Sequence, residues 1–123
     1  MKDTLSHLVL SASTINGTTV KNTADEKLGE IKDIMLDTDT GRVAYVVLSV
    51  DTGFLNLGSK YFAIPWQAIA FDTVHEQVIL KVDVNKEKLE NSPGFDKDNW
   101  PAAPQTEFIN KVHTYYGYDP YYV

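Results

Sequence analysis

Val43-Ala44-Tyr45-Val46-Val47-Leu48-Ser49-Val50 is the stretch on which the fold turns. It is built almost wholly from β-branched, aromatic and other apolar residues, the composition of a strand. Read with a period of two, one face carries Val43, Tyr45, Val47 and Ser49 and the other carries Ala44, Val46, Leu48 and Val50. Both faces are largely apolar, so both expect to be covered. One meets the core, and the other needs a second layer or a partner.

Working upstream, Asp37-Thr38-Asp39-Thr40-Gly41-Arg42 reads as a hairpin connection, with Asp and Thr side chains placed to bond nearby amides and Gly41 supplying a positive φ. Before it, Leu28-Gly29-Glu30-Ile31 is extended. Ile31 and Ile34 lie three apart rather than two, so the strand either turns one of them outward or absorbs an extra residue, and a bulge near Lys32 and Asp33 is the favoured reading. Earlier still come a short strand from Thr18 to Lys21 and a polar turn from Asn22 to Lys27.

Downstream, Phe54 to Lys60 reads as a loop, and Tyr61 to Trp66 as a strand with Phe62, Ile64 and Trp66 on one side. Pro65 cannot donate to a ladder and marks an edge or the strand's end. After a turn at Asp72 to Gln77, Val78, Leu80, Val82 and Val84 alternate with Ile79, Lys81 and Asp83 as in a half-buried strand. Asn85 then caps one helical turn over Lys86 to Glu90, closed by Pro93-Gly94.

After Phe95 the composition changes. Asp96 to Gln105 reads as a linker or arm, and Phe108, Val112 and Tyr115 or Tyr116 form one face of a short helix beginning near Thr106. The tail from Tyr115 to Val123 is too aromatic to dangle in water. The expected fold is therefore mostly β, a small barrel of about five to seven short strands with a helical turn and a C-terminal arm. Its divisions are an N-terminal segment at 1–13, the barrel at 14–95 and the arm at 96–123.

A chain of 123 residues with 43% apolar content builds a single core. The absence of cysteine removes disulfides, thiolate metal sites and cysteine nucleophiles. Eleven Lys and Arg against seventeen Asp and Glu give a net charge of -6, and Arg42 is the only arginine, so nucleic acid is not an expected partner. The apolar patch at Leu8, Val9 and Leu10 is too short and too interrupted for a signal-peptide core, and no apolar run reaches the length of a membrane span, so membrane insertion is not expected. The expectation is a soluble, cytoplasmic protein.

Chemical motifs fail on spacing. Counted from Asp37, an ion loop of the EF-hand type needs an oxygen ligand, a glycine and a glutamate where Gly41, Arg42 and Leu48 stand. His75-Glu76 would need a second histidine at position 79, which is Ile. His7 and His113 have no second ligand at metal spacing and read as surface or partly packed imidazoles. No catalytic, metal-binding or cofactor-binding residue is assigned, and no cofactor is expected.

The chain resembles the PRC-barrel family, named from the β-domain of the photosynthetic reaction-centre H subunit and shared with the C-terminal domain of a ribosome maturation factor. The residues that carry the resemblance are Gly17 with Val20, Lys27-Leu28-Gly29-Glu30-Ile31, the turn from Asp37 to Gly41 followed by Val43-Ala44-Tyr45-Val46-Val47, and Phe62-Ala63-Ile64-Pro65-Trp66. The stretch from Leu89 to Phe95 and the Asp98-Asn99-Trp100-Pro101 arm are similar as well. The resemblance implies a compact barrel, a free-standing small bacterial member, that commonly self-associates and acts through protein contacts. It carries over no catalytic residues, and neither the H subunit's membrane helix nor the ribosome factor's partner domain is legible here.

Two functions follow as expectations. The first is a non-enzymatic interaction or scaffold module, a homodimer or the dock for a protein partner, with Tyr45, Val47, Phe108, Val112, Tyr115, Tyr116, Tyr118, Tyr121 and Tyr122 as candidate interface residues. The alternative is an accessory small-ligand or electron-transfer protein in which Trp66, Tyr45 or the Tyr-rich end lines a pocket.

Overall fold

The computed structural model describes residues 9–50, 60–81, 84–101 and 105–122. The expected loop over 54–59, Val82 and most of the N-terminal segment lie outside them. Among the described residues seven strands form one sheet: β1 (Thr19–Lys21), β2 (Lys27–Asp37), β3 (Arg42–Val50), β4 (Lys60–Ile64), β5 (Ile69–Asp72), β6 (Gln77–Leu80) and β7 (Gly94–Asp96). Their order is β5-β6-β1-β2-β3-β4-β7. The neighbours β1 and β6 are parallel and all other pairs are antiparallel. Three short helices accompany them: α1 (Ala12–Ile15), α2 (Lys86–Glu90) and α3 (Thr106–Tyr115).

The expected barrel is realised as a sheet that curls without closing its hydrogen-bonded ladder, β5 and β7 being its edges. The curl follows from the core. Ile69 of β5 and Leu80 of β6, at one end of the order, share a buried cluster with Phe62 and Ile64 of β4 near the other end, together with Val20, Leu28, Val46 and Leu48. Only a wrapped sheet brings those strands onto one apolar centre.

β2 and β3 behave as their sequences demand. Ile31 pairs with Leu48 and Asp33 with Val47, so Lys32 is the extra residue of a bulge, and Ile31 and Ile34 both reach the same core. A second irregularity was not expected: Met35 faces Tyr45 while Leu36 faces Val43, which makes Ala44 the extra residue on β3. This corrects the strict alternation read from the sequence, because Val43 joins the first core and Ala44 the second. The hairpin between them closes with the Gly41 N–H donating to the Asp37 carbonyl at 2.8 Å, Gly41 at φ 77° and the Asp39 N–H donating to Asp37 Oδ1 at 3.0 Å. Gly29 answers a different need, since a Cβ there would run into the Ser49 carbonyl of β3.

Elsewhere β4 stops at Ile64, Pro65 is its end, and Trp66–Ala68 is a single 3₁₀ turn, so Trp66 packs on the first core from outside the strand. Asn85 caps α2 as expected, its Oδ1 accepting from the Lys88 N–H at 2.8 Å. Neither β7 nor α1 was expected. β7 has no alternation to read, and it forms because the outer side of β4 pairs with it, Phe95 lying opposite Tyr61. α1 is held by the Ser11 hydroxyl, which accepts from the Thr14 N–H at 3.2 Å.

Candidate functional site

The outer face of β3 and β4 gathers a second core: Ala44, Tyr45, Val47, Tyr61, Ala63 and Phe95 from the sheet, with Ile109 and Val112 from α3. The arm therefore supplies the second layer from within the same chain. Phe108 meets Tyr45 edge-on at 5.5 Å between ring centroids, and Trp100 packs against Phe95 at 4.9 Å and Tyr61 at 5.4 Å. Ring pairs of this geometry add to area burial. Burial pushes the Tyr45 hydroxyl up to about 12, and that hydroxyl donates to Gln105 Oε1 at 2.7 Å where the arm enters α3.

The apolar stripe of α3 is rotated by one residue from the one expected. Ile109, Val112, His113 and Tyr116 are buried, at spacings of three, one and three, while Phe108 and Tyr115 flank the stripe half-buried. His113 is the main correction. It is 1% exposed, fully buried rather than at the surface or partly packed, and its Nε2 donates to the Ala44 carbonyl at 2.9 Å. That carbonyl belongs to the bulged residue of β3, so the ring satisfies an acceptor that the ladder leaves out.

Beyond α3 the tyrosines fasten the arm to three separate elements. The Tyr115 hydroxyl donates to the Lys88 carbonyl of α2 at 2.6 Å, Tyr118 to the Gln67 carbonyl of the 3₁₀ turn at 3.2 Å, and Tyr121 to Asp37 Oδ2 of the hairpin at 2.9 Å. The Tyr121 bond, followed by the Asp39 N–H, holds the Asp37 carboxyl below its usual range. The Arg42 guanidinium lies 4.4 Å from the centre of the Tyr121 ring. Tyr122 is held by its backbone, with its N–H donating to Asn110 Oδ1 at 2.8 Å and its carbonyl accepting from Asn110 Nδ2 at 3.3 Å.

Of the nine candidate interface residues, Tyr45, Val47, Val112 and Tyr116 are thus buried inside this chain, at 4% exposure or less. Phe108, Tyr115, Tyr118 and Tyr121 are half-buried, and Tyr122 is exposed at its ring. The open surface lies beside them. Leu36, on the far half of β2, is 63% exposed. Desolvation raises the pKa of Tyr122, and the charges of Asp37 and Asp39 are near enough to raise it further. Tyr122 is thus near the hairpin tip, while Leu36, paired with Val43, opens on the other face of β2 from Asp37 and Tyr121, at the same end of the sheet.

Groups able to do chemistry are engaged in structure. Asp72 accepts from the Val74 and His75 N–H groups on one oxygen and meets His75 Nδ1 at 2.8 Å with the other, so its carboxyl sits below the usual range, the His75 side-chain bond being the largest cause. The pair shapes the β5–β6 turn. A cleft of about 410 Å³ lies beside it, lined by Ile15, Asn16, Phe71, Asp72, Glu76 and Gln77 among others. Among the described residues no group of three His, Asp or Glu is placed to hold a metal ion, and no helix is long and apolar enough to cross a membrane.

The sequence signature of the PRC-barrel domain matches residues 8–89. The chain belongs to the PRC-barrel family. The match covers α1, the strands β1 to β6 and nearly all of α2, and leaves β7 and the arm beyond it. Among solved structures, this PRC-barrel chain is similar to RimM of Pseudomonas aeruginosa, a protein assigned to 16S ribosomal RNA processing. The TM-score is 0.48 at 16% identity, over 67% of this chain and 48% of that one. The PRC-barrel chain thus spans about half the length of that protein. A comparison with curated proteins finds no match.

Proposed function

We propose that this PRC-barrel protein is a non-enzymatic protein-interaction module whose contact surface is the rim formed by the far half of β2 and the C-terminal tyrosines. The observation that supports it is Leu36, a large apolar side chain left 63% exposed on the unpaired far half of β2, at the end of the sheet where Tyr122 is 38% exposed, while the rest of the arm is folded back onto the sheet. A large exposed apolar side chain on a strand side that no neighbour pairs marks a place for a contact. The engagement of Asp37, Asp72, His75 and His113 in turns and core favours a binding role over catalysis.

The homodimer expected from sequence moves with this surface. A second copy has to meet the rim, because the face of Tyr45 and Val47 is already covered. Light scattering of the full-length protein and of Leu36→Lys across a concentration series tests the proposal. A dimer that the substitution dissociates makes a second copy the partner, and a monomer throughout assigns the rim to another chain. A dimer left intact by Leu36→Lys refutes the rim.

The cleft beside Phe71 favours a second function, the binding of a small ligand there rather than at Tyr45, which lies in the core. A rise in melting temperature with a candidate metabolite, abolished by Phe71→Asp, is its signature.

A further inference from the structure

β2 runs for eleven residues, but β1 accompanies only the first part of it. Their ladder reaches Thr19 opposite Glu30, and it is extended by the Ile31 N–H donating to the Thr18 carbonyl at 2.9 Å and the Gly17 N–H donating to the Ile31 carbonyl at 2.7 Å. From Lys32 to Asp37, among the described residues, no strand lies on that side of β2. A strand side without a partner offers its N–H and C=O groups to whatever approaches.

Ile34 shows which groups face outward. It sits opposite Val46 of β3, yet its N–H donates at 2.8 Å to the carboxylate of the adjoining Asp33. Main-chain groups alternate in direction along an antiparallel ladder, so those of Ile34 point away from β3 and those of Leu36 do the same. Asp33 covers the first of these amides, and Lys32 in its bulge marks the near end. Both are devices by which edges avoid indiscriminate pairing.

We propose that this side of β2, from Ile34 to Leu36, receives an added strand: an extended segment of another protein with an apolar centre and a basic residue at each end. The proposal deepens the interaction-module reading and rests on it. Asp33 and Asp37 bracket Ile34, Met35 and Leu36, so lysines or arginines four residues apart in the incoming strand lie opposite both carboxylates. Arg42 lies over the Tyr121 ring, and the net charge of -6 favours a basic partner. Self-pairing fits poorly. A two-fold pairing that sets Ile34 against Leu36 of a second copy also sets Asp33 against its Asp37 twice, and centring the pair on Ile34 places Lys32 opposite Leu36 and Asp33 opposite Met35. On binding, the Asp33 carboxylate exchanges its own amide for the incoming cation, and the freed Ile34 N–H joins the new ladder.

The test titrates isotope-labelled full-length protein with acetyl-Lys-Val-Thr-Val-Lys-amide and with the same peptide carrying Glu at both ends, followed by NMR. The expected result is saturable shifts and slowed amide exchange at Ile34 and Leu36, with the acidic peptide bound at least about tenfold more weakly. Leu36→Pro, which removes an outward N–H, abolishes the effect, and Asp33→Asn weakens the basic peptide several-fold if the proline variant does not fold. No shift at Ile34 and Leu36 at millimolar peptide, or equal binding of both peptides, overturns strand addition. Rim-dependent self-association in light scattering alongside such a failure would leave the interaction module standing and remove only the added strand.

Discussion

Tyr116 offers a test in which removing an atom stabilises the protein. Its ring is 4% exposed in the first core, and its hydroxyl is buried without a hydrogen bond of good geometry. A buried polar group left unpaired costs about 1–3 kcal/mol. Tyr116→Phe keeps the ring contacts and discards that cost, so the variant should be more stable by about 1 kcal/mol near pH 8, or about 4 °C in Tm for a domain of this size. The pH dependence separates this from a general packing effect. Burial is the main cause that pushes the hydroxyl from 10.0 up to about 12, with the Ser92 hydroxyl acting in the opposite direction and Tyr115 raising it further. The folded state therefore holds the proton more tightly than the unfolded state. The resulting contribution to stability is whole below pH 10 and is lost as pH rises through about 12, a loss on the order of 2–3 kcal/mol. The phenylalanine variant has no hydroxyl to ionise, so its advantage should widen from about 1 to about 3 kcal/mol between pH 8 and pH 12. Urea unfolding at the two pH values, with the slope m checked for constancy, measures it. A variant less stable than wild type by about 1 kcal/mol or more at pH 8, or one with an unchanged alkaline slope, would refute the reasoning and show that the hydroxyl has a partner.

Three further substitutions probe separate parts of the fold, each read as a change in urea midpoint. Gly29→Ala places a methyl group against the Ser49 carbonyl and should cost about 3 kcal/mol or abolish folding, whereas a loss under about 1 kcal/mol would mean that β2 and β3 separate easily there. Asn22→Ala removes a 4% exposed side chain that accepts from the Ala24 and Glu26 N–H groups and donates to the Val84 carbonyl, and a loss of about 2–3 kcal/mol is expected. Glu76→Gly relieves a non-glycine residue held at φ 53° in the β5–β6 turn and should stabilise by about 1 kcal/mol; a destabilised variant would show that the Glu76 side chain holds that turn.

The strand core of the fold was legible because it is written in local patterns. The three-residue gap between Ile31 and Ile34 placed a bulge where Lys32 breaks the register, and Asp37 to Arg42 carried the turn chemistry of the hairpin that forms there. The bulge at Ala44 left no such trace. Val43 and Ala44 are both apolar, so exchanging their faces changes nothing that periodicity can detect. β7 was hidden for a related reason: a three-residue strand containing Gly94 and Asp96 has no pattern of its own and exists through its partner β4. The aromatic surplus of the arm signals docking, but sequence does not distinguish docking on the same chain from docking on a second one, and the expectation of Tyr45 and Val47 at an interface rests on that ambiguity. His113 carries a usable signal, since it completes the buried stripe with Ile109, Val112 and Tyr116, but metal spacing alone says nothing of a histidine on an apolar stripe. The exposure of Leu36 is not legible, because a leucine two residues after Ile34 reads as another core position of the same face.

The arm that covers the second core is made after the strands it covers. During synthesis Tyr45, Val47 and Ala63 emerge first, and the residues that shelter them from water, Ile109 and Val112, lie more than 40 positions later in the chain. At about 5–20 residues per second the nascent sheet spends seconds with that face bare. Mutations that loosen α3 or its tyrosine contacts should therefore appear first as lower yield and greater dependence on chaperones, before any change in the melting of the finished protein is measured.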